Sequence, residues 1–309
     1  MNDPAELCER AASLVSTDPA GSYGLFSEAA EVGHPNGMFG MAELKMMGAG
    51  TPYDPKGAEE LYSRAASAGH PPSMYRLGML WTGQQGHPED PATAFSWFLR
   101  SAEAGFPPAY PEAAGAMLYG YGTDEDPAGA LAWYVRAAES GDPLSMFKAG
   151  YMLSEGIGTE RDAAGAVRMF SMSAEAGVPE AMLKMSELCS DGTVEGGAKA
   201  SFRWCSRAAD MGFQPALFRQ ATMLYQGEGT ARDLPRAFSI YSSLADAGEA
   251  DAMFMVGRMV YDGLGTEKDE ERGFELLSRA AAMGSPIALQ IVEDLRRRQN
   301  TQLIRIDGS

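Results

Sequence analysis

Three histidines, three cysteines and a recurrent Gly-x-Gly loop are the features of this 309-residue chain whose residue types could do chemistry. A metal site needs three or four ligands converging on one ion at about 2.0–2.3 Å. His34 and His70 share a Gly-His-Pro setting 36 residues apart, and no histidine stands at ligand spacing from Cys189 or Cys205. If that spacing is a structural repeat, equivalent positions lie a full repeat apart and share no ion. His34, His70 and His87 therefore read as surface turn residues, and no metal is expected. The glycine loops follow no strand pattern and carry no Gly-Lys-Ser/Thr triplet, so they do not read as phosphate cradles, and no cofactor is expected. Cys8, Cys189 and Cys205 are an odd, sparse set, expected as buried free thiols. A helix hairpin could bring Cys189 near Cys205, but a bridge needs Cα atoms within about 7 Å. Carboxylates abound, yet Glu103, Glu139, Glu175, Asp210 and Asp246 each precede a recurring glycine by two residues. A solvated helix end explains such a recurrence, whereas a catalytic pair would be singular. No catalytic residue is assigned, and the chain is expected not to be an enzyme.

The elements that hold these residues follow one regularity. An Ala-rich run closes on Gly33, Gly69, Gly105, Gly141, Gly177, Gly212, Gly248 and Gly284, spaced by 36 residues except for one step of 35. So strict a period marks stacked supersecondary units. Cutting one residue past each glycine divides the chain into seven repeats: 35–70, 71–106, 107–142, 143–178, 179–213, 214–249 and 250–285. Residues 1–34 read as a degenerate N-terminal repeat or cap, and 286–309 as a C-terminal capping helix and tail. In that tail, Thr301–Ser309 is expected to be loose, with Leu303, Ile304 and Ile306 available to fold back.

Each repeat reads as helix, glycine loop, helix. The eighth position of the first helix is always small: Ala42, Gly78, Ala114, Gly150, Ser186, Ala221 and Gly257. A small residue there lets a partner helix approach closely. Position four is often methionine (Met38, Met74, Met146, Met182, Met253), read as core filling. The first helix ends in Gly-x-Gly in five repeats, as at Gly120/Gly122, because glycine takes a positive φ without a Cβ penalty. The second helix opens on Asp54-Pro55, Asp90-Pro91 or Asp126-Pro127, and on Asp162, Asp233 or Asp269 elsewhere. The aspartate caps orphan N–H groups, and proline at the first helical position lacks the N–H that would be orphaned. That helix carries a bulky position (Leu61, Trp97, Trp133, Met169, Trp204, Ile240, Leu276), followed five residues later by alanine. Repeat 179–213 is one residue short and lacks the Gly-x-Gly arrangement. Repeat 107–142 has Pro111 early in its first helix, and 71–106 has Gln84-Gln85-Gly86 in its loop.

The order small–Leu–Tyr, Gly-x-Gly, Asp, Ala–Trp–Tyr, Ala–Ala–x–x–Gly resembles that of Sel1-like repeats, within the tetratricopeptide-like α-solenoids. Gly150 to Gly158, Asp162 and Ala174 to Gly177 fit it, as do Ala221 to Gly229 and Gly257 to Gly265. The resemblance spans about residues 20–290. It implies an all-α, right-handed α-solenoid superhelix of about seven 36-residue repeats between N- and C-terminal capping helices. It also implies a non-enzymatic scaffold, adaptor or regulator that binds a protein or peptide along the concave face. Exported or envelope-associated regulators, and hydrolases of cell-wall-like ligands, are the alternatives it admits.

In a solenoid the first helices usually line that face. Position five is aromatic at Phe39, Tyr75, Phe147, Phe218 and Phe254, and position six is basic at Arg76, Lys148, Lys184 and Arg219. Two readings stand. The aromatics pack between helices, or they floor a groove with a basic rim that takes an acidic segment. The formal net charge of −17 repels phosphate backbones, so nucleic acid is not expected as a partner. No 18-residue apolar run suits a bilayer, and Met1–Val15 lacks the basic start of a signal peptide, so a cytoplasmic protein is expected. Oligomeric state is not legible.

Overall fold

The computed structural model describes residues 3–83 and 86–307, with the side chains of the last helix described through Arg297. Gln84, Gln85 and the side chains of Leu303, Ile304 and Ile306 lie outside the described residues. The fold is an all-α solenoid, with seventeen α-helices and no strand among the described residues beyond an isolated Thr82–Glu89 bridge. The chain forms two compact units, Met1–Ala166 and Val167–Ser309.

The first unit contains α1 (Pro4–Leu14), α2 (Pro19–Glu31), α3 (Pro35–Met47), α4 (Pro55–Ser67), α5 (Pro71–Leu80), α6 (Pro91–Glu103), α7 (Tyr110–Tyr119), α8 (Pro127–Glu139) and α9 (Pro143–Glu155). The boundary falls within α10 (Ala163–Glu175). The second unit continues with α11 (Pro179–Ser190), α12 (Gly197–Asp210), α13 (Gln214–Gln226), α14 (Leu234–Asp246), α15 (Ala250–Asp262), α16 (Glu270–Ala282) and α17 (Pro286–Asp307). From α1 to α9, and again from α11 to α17, each helix packs on the next. First helices also meet directly, as α1 does α3.

Local chemistry sets the boundaries. The Asp126 carboxylate accepts from the Gly129 N–H at 2.9 Å, and Asp54, Asp90, Asp162, Asp233 and Asp269 cap their helices the same way. Asp3, Asp18 and Asp142 do so as well, which extends the device to the N-terminal repeat and to one first helix. The second glycine of Gly-x-Gly is needed twice over. Gly122 has φ 76°, and a Cβ there would run into the carbonyl of Pro91, at the start of the preceding repeat's second helix. The loop is thus a clamp between neighbouring repeats as well as a stop signal.

The small eighth positions are all buried. A Cβ on Gly78 would lie 2.6 Å from the Phe98 ring, so the close approach is real. The bulky position named from sequence packs on the core, as at Leu61, Trp97, Trp133, Ile240 and Leu276. Its successor on the second helix is the more deeply buried: Tyr62, Phe98, Tyr134, Phe170, Cys205, Tyr241 and Leu277 are all under 5% exposed. Trp97, Trp133 and Trp204 sit one residue aside, half-buried, under the guanidinium groups of Arg100, Arg136 and Arg207 at 4.2–4.8 Å. The position-four methionines are core, as expected.

The irregular repeats solve their problems locally. Pro107–Ala109 forms a 3-10 turn before α7, and Tyr110 packs on Trp133 at 5.5 Å beside the half-buried Pro111. Gly196, at φ 116°, replaces the aspartate cap of α12. The end of the chain differs from expectation: the backbone of Thr301–Asp307 continues α17, which anchors through Ala288 and Val292.

Candidate functional site: the first-helix face

Position five is used mainly inside the fold. The Phe39 ring lies 5.9 Å from Tyr62 and 5.2 Å from His70, Tyr75 lies 5.7 Å from Phe98, and Phe218 lies 5.3 Å from Tyr241. Phe254 is buried, and Leu183 takes this place in repeat 179–213. These rings seat the buried row of the second helices, and most keep one edge towards solvent.

The position-six cations fare differently from one another. Arg76 donates to both oxygens of Glu43, Nε at 2.8 Å and the terminal nitrogen at 2.6 Å. Glu43 also accepts from the Tyr62 hydroxyl at 2.5 Å, and burial with this carboxylate raises the phenol far above its ordinary range. Arg76 is therefore committed to its own fold. The Lys148 ammonium lies 5.0 Å over the Tyr134 ring and 3.4 Å from its hydroxyl. Burial pushes that phenol up to about 12. Glu112, raised by desolvation and drawn down by Lys148, places a carboxylate beside them. Lys184 pairs with Glu187 at 3.2 Å. Arg219 makes no ion pair among the described residues, and its Nε is buried without a hydrogen-bond partner. Arg76, Lys148 and Lys184 each stand beside a carboxylate, where the sequence pattern alone suggests a basic rim.

Sequence reasoning missed the exposed aromatics. Tyr119 is 73% exposed and Tyr151 51%, and with Phe147 and Lys148 they line a cavity of about 260 Å³ between α7 and α9. Both lie outside the aromatic position five, which is why the pattern passed over them. A larger cavity of about 650 Å³ opens between α1 and α3.

The histidines are more integrated than turn residues need be. His34 Nδ1 lies 3.6 Å from Cys8 Sγ, and His70 Nδ1 lies 2.8 Å from Ser73 Oγ, its pKa lowered by burial. His87 packs edge-on against Trp81 at 4.4 Å, in the loop without Gly-x-Gly. All three cysteines are free and buried, and burial pushes the Cys205 thiol up to about 11. Among the described residues no three His, Cys, Asp or Glu groups are placed to hold a metal, and no helix is long and apolar enough to cross a membrane.

The Sel1 repeat matches residues 35–70, 71–106, 113–142, 143–178, 179–213, 214–249 and 250–285. The third match opens just past the 3-10 turn and Pro111. The fold is similar to that of a Sel1 repeat protein from Oxalobacter formigenes, at TM-score 0.68 and 26% identity over 95% of this chain and 88% of that one. It is also similar to c5321, described as a protective antigen of uropathogenic Escherichia coli with an SLR fold, at TM-score 0.66 and 22% identity over 96% and 73%. Among curated proteins, none matches the chain. Repeats matched over most of its length establish that the chain belongs to the Sel1 repeat family.

Proposed function

We propose that the chain is a non-enzymatic scaffold or adaptor whose first-helix face takes an extended segment of a protein partner. Sel1 repeat proteins generally mediate protein–protein interaction. The observation that carries the reading here is the pair of solvent-facing tyrosines, Tyr119 and Tyr151, at the mouth of the cavity shared with Phe147 and Lys148. Large rings held open on a rigid helical face supply contact area at low entropic cost, and such aromatics are enriched in interaction hot spots.

The remaining contact residues are Phe39, Tyr75 and Phe218 through their solvent edges, with Phe254 as support beneath. Arg219 and Lys184 are the position-six cations of the second unit, and Arg219, which makes no ion pair among the described residues, is the one suited to an acidic residue of the partner. Arg76 contributes by holding Glu43 and Tyr62 in place. Three free, buried thiols suit a reducing compartment, which favours the cytoplasm as the setting.

The test is photo-crosslinking in native lysate, with a benzophenone amino acid at Tyr119 or, as control, at the exposed second-helix residue Glu139. Discrete protein adducts are expected from Tyr119 alone, and Tyr151→Ala should weaken them. Equal adducts from both positions, or none from either, would sink the assignment of this face.

A further inference from the structure

We propose that the cavity between α1 and α3 receives a bulky apolar side chain from a partner segment whose neighbouring residues are basic. The proposal rests on the reading of the first-helix face as the interaction face and adds the chemistry of one partner. At about 650 Å³ the cavity falls within the range of roughly 300–1,000 Å³ found for ligand sites. Phe26, Phe39, Leu44, Val15 and Met47 supply its apolar wall, and Met47 stands 58% exposed. At its floor Cys8 and His34 lie within 3.6 Å and answer each other's polarity.

Charge decides what flanks that occupant. No lysine or arginine lines the cavity, while Glu9 does, and the Glu43 carboxylate on the same wall is already paired with Arg76. Around it, the Met1–Ala166 unit carries 22 Asp and Glu against 9 Lys and Arg, a net −13. The Val167–Ser309 unit carries 20 against 16, a net −4. An acidic segment approaching this cavity is repelled, and a basic one is steered in and held at the rim.

The probe is an end-blocked peptide, Lys-Lys-Phe-Lys-Lys, offered to the full chain beside Lys-Lys-Ala-Lys-Lys and Glu-Glu-Phe-Glu-Glu. Binding is read by anisotropy of the labelled peptide, and its place by the Ala12→Phe variant. The alanine peptide is expected to bind about tenfold or more weakly, since it forfeits burial of the ring. The glutamate peptide is expected not to bind. Ala12→Phe fills the cavity from an exposed position on its wall and should abolish binding of the phenylalanine peptide without moving the thermal transition. Glu9→Lys should weaken the lysine–phenylalanine peptide up to about fivefold, the effect of one exposed charge pair. Equal binding of the phenylalanine and alanine peptides, binding of the glutamate peptide, no binding of any peptide, or undiminished binding to Ala12→Phe overturns the proposal. So does self-association of the peptide-free chain that Ala12→Phe abolishes, which assigns the cavity to a second copy. Failure here with the Tyr119 adducts intact leaves the scaffold reading standing, and loss of those adducts removes that reading itself.

Discussion

Arg76 is a cation on an exposed face that its own fold has used up. Its side chain is 45% exposed and that of Glu43 23%, so the ion pair itself is worth about 1 kcal/mol or less. The buried Tyr62 hydroxyl beneath them has more at stake, because losing its acceptor leaves a polar group stranded. Arg76→Ala should therefore cost little in urea denaturation, and Glu43→Leu about 1–3 kcal/mol. Adding Tyr62→Phe to Glu43→Leu should return part of that loss; if it does not, the hydroxyl is not the source. Cys205 carries a second residue-scale consequence. Its thiol is raised by burial from 9.0 to about 11, so the folded state holds its proton more tightly than the unfolded chain. Its contribution is fully present below about pH 9 and is lost as pH rises towards 11. The raised phenols of Tyr134 and Tyr241 add to the loss at the upper end. The urea midpoint should fall between pH 9 and 11, and Cys205→Ala should flatten the lower part of that fall.

At the scale of the element, two glycines with similar backbone angles separate two causes. Gly105 has φ 83° and open space where a Cβ would stand, while Gly122 has φ 76° and the Pro91 carbonyl in that place. Gly105→Ala should cost about 1 kcal/mol, the left-handed penalty alone. Gly122→Ala must also displace a neighbouring helix start and should cost about 2–4 kcal/mol, a strain-plus-overpacking total. Equal losses in thermal denaturation would mean that the loop is a stop signal and not a clamp. The same clamp recurs where Gly50 meets Pro19, Gly158 meets Pro127 and Gly229 meets Ala198. Repeats in register thus depend on backbone contact as much as on apolar packing.

At the scale of the whole molecule, charge has the longest reach. A net −17 opposes compaction through self-repulsion, and most of it belongs to the Met1–Ala166 unit. Salt raised from about 0.02 to 0.2 M shortens the screening length to under about 10 Å and should raise the melting temperature. Calorimetry should find any early, salt-sensitive transition in the more acidic unit. A melting temperature indifferent to salt would mean that ion pairs such as Arg207–Glu175 already balance the field.

The repeat period, the helix boundaries, the aspartate caps and the small eighth position were legible in the sequence because each is local physics: a cap acts within three residues and a glycine's φ within one. Family membership followed from the same local signals repeated seven times. Tertiary structure decided what depends on partners some 20 to 40 residues away. It set Tyr62 and Tyr134 rather than Leu61 and Trp133 at the deepest level, because a helix's rotation about its axis is fixed only by what it packs against. It committed Arg76 to Glu43 across 33 residues while leaving the Nε of Arg219, at the equivalent position, buried without a hydrogen-bond partner among the described residues. It also brought Cys8 to His34 across 26 residues at the floor of the cavity between α1 and α3, a meeting between adjacent first helices that no spacing within a repeat encodes.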